Sequence, residues 1–68
     1  MTPKEQISVI KITSRFVHSC EYAVMIMLSH NARNQGNENG AYDWEQQAKS
    51  IKEEMIRRGL GDPLLQLN

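Results

Sequence analysis

The sequence predicts an all-α fold: a hairpin of two helices whose copies assemble into a homo-oligomeric bundle. Three observations carry that prediction. Between Pro3 and Gly36 there is neither proline nor glycine, so a helix can run unbroken for about nine turns. Apolar residues in both halves recur at three- and four-residue spacing. And the stretch Tyr22–Leu28, YAVMIML, is apolar on every side of a helix, in a chain of only 68 residues that has little to cover it with.

The first helix is expected over residues 3–34. Thr2 can cap it, Pro3 suits its first position, and Glu5 completes a T-x-x-E capping box. Val9, Ile12, Phe16, Cys20, Ala23 and Met27 form one apolar stripe, with Ile10, Val17, Val24 and Leu28 beside it. Together the stripes span roughly 160° of the circumference, wider than one partner helix requires. The β-branched run Ile7–Thr13 lacks the strict alternation of a strand. Residues 31–40, NARNQGNENG, read as a polar connector, because Asn and Gly favour turns.

The second helix is expected over residues 42–58. Ala41, Trp44, Ala48, Ile51 and Met55 make a coiled-coil-like seam, with Trp44 as its anchor. Glu45–Lys49, Glu53–Arg57 and Glu54–Arg58 are favourable i,i+4 pairs. Gly59 can take the left-handed stop, with Leu60 closing back on Met55. The tail is expected to start a short helix, Asp62 capping and Pro63 first, with Leu64, Leu65 and Leu67 packed against the bundle.

At 1.5 Å per residue the helices measure about 48 and about 27 Å. Folded back, the second reaches only residue 16 or 18 of the first, which leaves Ile7–Ile12 uncovered. The expected oligomer interface is therefore Ile7, Ile10, Ile12, Phe16, Val17, Val24, Met25 and Leu28, in a dimer or larger. The outline is similar to that of small plasmid-type helical-hairpin dimers that bind RNA. The likeness is one of architecture, and no motif or residue role follows from it.

Composition narrows the function. Eight basic and eight acidic residues cancel, so no global field draws in nucleic acid or a membrane. The first half has four basic residues to two acidic, the second four to six, which suits helices lying side by side. Lys11, Arg15, His18 and Glu21 interrupt the apolar stretch before spanning length, so no membrane span is expected. The single Cys20 cannot form an internal disulfide, and with no leader pattern a reducing, cytoplasmic setting is expected.

Cys20, His18, Glu21 and His30 do not share one helix face, so neither a metal, a cofactor nor a catalytic role is assigned. Cys20 reads as a small core residue and the histidines as boundary residues. Lys4, Lys11, Arg15, His18, Tyr22 and Arg33 share about a third of the first helix's circumference, with Arg57 and Arg58 finishing near His18. The stripe reads first as the solvated face. Its functional alternative is an anion site of Lys11, Arg15, His18, Tyr22, Arg57 and Arg58, holding a nucleotide phosphate or RNA. The leading expectation is a small intracellular, non-enzymatic oligomer that binds another macromolecule, such as a protein partner, as regulators and inhibitors from phages and mobile elements do.

Overall fold

The computed structural model describes residues 3–65, except for the side chains of Glu5, Ile7 and Ser8. The expected Thr2–Glu5 capping box, the Ile7 contact and the packing of Leu67 lie outside the described residues. Two helices pack against each other, α1 over Pro3–Asn34 and α2 over Glu38–Arg57. The hairpin is a thin rod, 52 × 16 × 14 Å, the cross-section of two helices with no third layer behind them.

α1 ends where the sequence indicates, at the last residue before the Gln35–Gly36 turn. Gly36 takes a left-handed φ of 79°, its N–H bonds to the Arg33 carbonyl (3.0 Å), and the Asn37 N–H bonds to the Ala32 carbonyl (2.8 Å). That pair of bonds is a Schellman closure. Asn37 also caps α2, its Oδ1 accepting from the Gly40 N–H at 2.9 Å. One asparagine thus closes one helix and opens the next.

This double role corrects the predicted boundary of the second helix. α2 begins at Glu38 rather than about residue 42, and the expected ten-residue connector shrinks to residues 35–37. The weak helix formers Asn39 and Gly40 are carried by the cap and by Ala41, which is fully buried. Gly40 has a positive reason to be glycine: a Cβ there would come within 2.4 Å of the Asn37 side chain and displace the cap.

The second correction concerns which face of α1 meets α2. Among the described residues, Ser19, Ser29 and Ala32 on α1 and Ala41, Ala48 and Met55 on α2 are the buried residues of the two helices. In a two-helix chain only the opposite helix and the tail can bury them, so they mark the seam. At 100° per residue, Ser19, Ser29 and Ala32 fall on the side of α1 that carries Arg15, His18 and Tyr22. The stripe read as solvated therefore faces α2 from Ser14 onward, where Ser14, Arg15, His18 and Tyr22 are all half-buried. The broad apolar face points the other way. Val9, Ile10, Ile12, Phe16, Val17, Val24 and Met27 are 47–67% exposed. Cys20 lies half-buried on that outer face and is not a core residue.

The seam follows from size. Ala41, Ala48 and Met55 are seven residues apart, the coiled-coil period. Alanine and serine let two backbones approach closely, whereas Phe16 or Ile12 would hold them apart. Trp44 and Ile51 flank the seam half-buried, so alanines and not the tryptophan form its centre. The two buried serines cost nothing in unmet hydrogen bonds. Ser29 Oγ donates to the Ile26 carbonyl (2.7 Å) and Ser19 Oγ to the Arg15 carbonyl.

α2 stops as predicted. Gly59 has φ 74°, and the Gly59 and Leu60 N–H groups bond to the Ile56 and Met55 carbonyls at 3.0 and 2.9 Å. Of the three predicted ion pairs, Glu54–Arg58 forms, at 2.8 Å. Arg57 turns to Glu54 instead (2.6 Å), and Glu45 reaches across to Arg33 of α1. The Glu45 and Glu38 carboxylates hold the Arg33 guanidinium above its ordinary pKa.

The tail departs from prediction. Residues 60–65 form no helix, because their polar groups find partners on α1. Arg15 Nε donates to the Asp62 carbonyl (3.0 Å), and the Leu64 N–H donates to Ser19 Oγ (2.7 Å). Pro63 is buried, while Leu64 and Leu65 stay about half exposed. The tail docks through backbone and proline, not through these leucines.

Candidate functional site

The hairpin presents two surfaces that arise from one geometric fact. Among the described residues, α2 and the tail cover α1 only from Ser14 to its C-terminus, so residues 3–13 project as a single-helix arm. Every arm side chain described is exposed.

The first surface is the outer apolar face. Its rows repeat every seven residues, Val9–Phe16–Ala23 and Ile10–Val17–Val24, as in a helix that lies along another. Phe16, Val17, Cys20, Glu21, Val24 and Met25 line a shallow open groove of about 380 Å³. All six come from α1. Of the expected interface residues, Ile10, Ile12, Phe16, Val17 and Val24 are exposed on this face, and Met25 and Leu28 are half-buried.

The second surface is the basic cluster. The hairpin brings Arg15, His18 and Arg58 to one place and keeps Tyr22 one turn away. His18 Nδ1 donates to the Ser14 carbonyl (2.8 Å), which leaves Nε2 to accept from Arg58 Nη1 at 3.5 Å. Arg58 also donates through Nε to Glu54. Both guanidiniums therefore already serve the chain's own acceptors, Arg15 the Asp62 carbonyl and Arg58 the Glu54 carboxylate. Arg57 pairs with Glu54 on the open side of α2, and Lys11 stands on the arm, beyond the end of the cover. As built, the cluster acts as a latch that pins the tail and the end of α2 to α1.

Sequence reasoning missed Ser19, the centre of that latch. Its hydroxyl donates to the Arg15 carbonyl and accepts from the Leu64 N–H in a fully buried position. A signal was present. Ser14, Ser19, Ser29 and Ala32 are small residues on the same side of α1 as Arg15, His18 and Tyr22, and an alanine seam on α2 needs small residues opposite.

Among the described residues, no three His, Cys, Asp or Glu side chains come together as metal ligands, and no helix is long and apolar enough to cross a membrane. No family model matches the chain, and neither the curated proteins nor the solved structures contain a match.

Proposed function

We propose that this chain is a non-enzymatic, self-associating helical hairpin that acts by binding another macromolecule, in the manner of a regulator or inhibitor. One observation supports this reading above the others: the widest apolar surface of the molecule faces away from its own second helix. Among the described residues, the buried hydrophobic side chains between the helices amount to Ala32, Ala41, Ala48 and Met55, while seven large ones on α1 remain about half exposed. Burying a large apolar side chain stabilises by roughly 1.5–3 kcal/mol. The greater part of the available stabilisation thus lies outside the hairpin. A chain this short ordinarily needs association, a metal or disulfides to become stable.

Sedimentation velocity of the full chain at micromolar concentration tests the reading. A dimer or larger species is expected, and Ile12→Asp should dissociate or unfold it, since an unpaired buried charge costs several kcal/mol. A fully folded monomer at that concentration would remove the basis for the proposal.

A further inference from the structure

We propose that the Asn39–Gly40 pair is a site of spontaneous deamidation, and that the Asn37 cap sets its rate. The site lies in the first turn of α2 and does not depend on self-association.

Asparagine followed by glycine is the pair in which the chain most readily displaces a side-chain amide by itself. The Gly40 backbone nitrogen, having lost its proton, attacks Asn39 Cγ. A bond forms between that nitrogen and Cγ, the Cγ–Nδ2 bond breaks, and ammonia leaves a five-membered succinimide. Water then opens the ring at either carbonyl, giving aspartate or isoaspartate. Of Asn31, Asn34, Asn37 and Asn39, only Asn39 precedes a glycine. Glycine matters because it has no Cβ to obstruct the attack. The Asn39 side chain is exposed, so water reaches it.

Two features of the fold hold the reaction back. Asn39 stands in α2, where the helical ψ keeps the Gly40 nitrogen away from Asn39 Cγ. The Gly40 N–H is also engaged, donating to Asn37 Oδ1 at 2.9 Å. In the first turn no carbonyl of the helix is placed to accept it, so the Asn37 side chain is its restraint. The same missing Cβ serves both events. A Cβ on residue 40 would collide with the Asn37 amide, so the cap demands glycine there. That glycine leaves Asn39 open to attack whenever the cap lets go, and helix ends open more readily than the core.

The two products differ in consequence. Aspartate adds a negative charge to the first turn, where the helix dipole favours one. Isoaspartate inserts an extra carbon into the main chain. That breaks the bond from the Ala41 N–H to the Asn37 carbonyl (3.0 Å) and shifts Ala41 from its fully buried place in the seam. A chain converted to isoaspartate loses the start of α2.

Peptide mapping by mass spectrometry tests the proposal on the full chain, held folded below its melting temperature. Asn39 should convert faster than Asn31, Asn34 and Asn37. In chain unfolded by denaturant it should convert at least about tenfold faster still, since the rate follows the open fraction. Asn37→Ala should raise the Asn39 rate about fivefold, the population change equivalent to a cap worth about 1 kcal/mol. Asn37→Asp keeps a cap acceptor and should stay within about twofold of the parent. Ser19→Ala, which loosens the opposite end of the hairpin, should do the same. Conversion at Asn39 no faster than at the other three asparagines would overturn the site. Equal rates in folded and denatured parent chain would overturn the gating without any substitution. Equal rates in Asn37→Ala and the parent would overturn it too, as would a Ser19→Ala rate as high as that of Asn37→Ala. Isoaspartyl chain, separated by chromatography, should melt below Asn39→Asp, and equal melting would overturn the assigned loss of the first turn.

Discussion

Replacing Ala48 with leucine tests the seam directly, because the competing effects differ in size. Leucine is nearly as good a helix former as alanine, so intrinsic propensity changes by about 0.2 kcal/mol. Ala48 is 1% exposed and lies midway between Ala41 and Met55 on the face that meets α1. Three added carbons would gain hydrophobic burial if there were space, but an alanine–serine seam holds the backbones too close to provide it. Overpacking of this kind costs about 1–3 kcal/mol. Total stability for a chain of this length is on the order of 3–10 kcal/mol. A shift of roughly 4–8 °C per kcal/mol is expected at this size, so Ala48→Leu should lower the melting temperature by about 5–20 °C. Circular dichroism at one fixed chain concentration is the assay, since association makes the midpoint concentration-dependent. Gln47→Leu, at the adjacent exposed position, makes a comparable change away from the seam and should move stability by less than about 0.5 kcal/mol. If Ala48→Leu melted at or above the parent temperature, the small-residue seam would not be where the helices meet.

Two further substitutions probe the ends of the hairpin. Ser19→Ala leaves the Leu64 N–H without its acceptor, a loss of about 1–3 kcal/mol if that group stays buried; amide exchange should show Leu64 losing protection, and unchanged protection would mean the tail is held by other contacts. Asn37→Ala removes the cap of α2 and should cost about 1 kcal/mol, read from urea midpoints, whereas an unchanged midpoint would show that the turn needs only Gly36.

What the sequence made legible was the helical content and its punctuation. Pro3, Gly36 and Gly59 act locally, so the span of α1 and the stop of α2 follow from residues within a turn of them. The start of α2 was hidden because it depends on a reciprocal cap: Asn37 accepts from Gly40 while its own N–H closes α1, and composition alone reads NQGNENG as loop. The facing of α1 was hidden for a different reason. Periodicity shows that a helix has an apolar side but not what that side meets. The usual assumption assigns it to the nearest helix in sequence, and here that assignment fails. The small residues of α2 were the available clue, since Ala41 and Ala48 cannot bury Phe16 and Ile12 to any depth but can seat Ser19 and Ser29 closely. The expected site residues followed the same pattern. Arg15, His18 and Arg58 do converge, but on the chain's own carbonyl and carboxylate oxygens, because the tail returns to α1 at a point that no local pattern indicates.

The division of labour between the two faces has a thermodynamic consequence. A seam of alanines and serines gives geometry, fixing the helices' register and spacing, yet it removes little apolar surface from water. The outer face has the opposite character, with ample apolar surface and, among the described residues, no partner. If that face supplies most of the stabilisation, folding and association are one equilibrium, and the melting temperature must rise with chain concentration. A hairpin stable by itself would instead melt at the same temperature across a hundredfold range of concentration. The residues that would couple the two are those of the arm, Val9, Ile10 and Ile12, which stay exposed beyond the reach of α2. Concentration dependence should therefore weaken most when the arm is made polar, and least when the latch at Ser19 is broken.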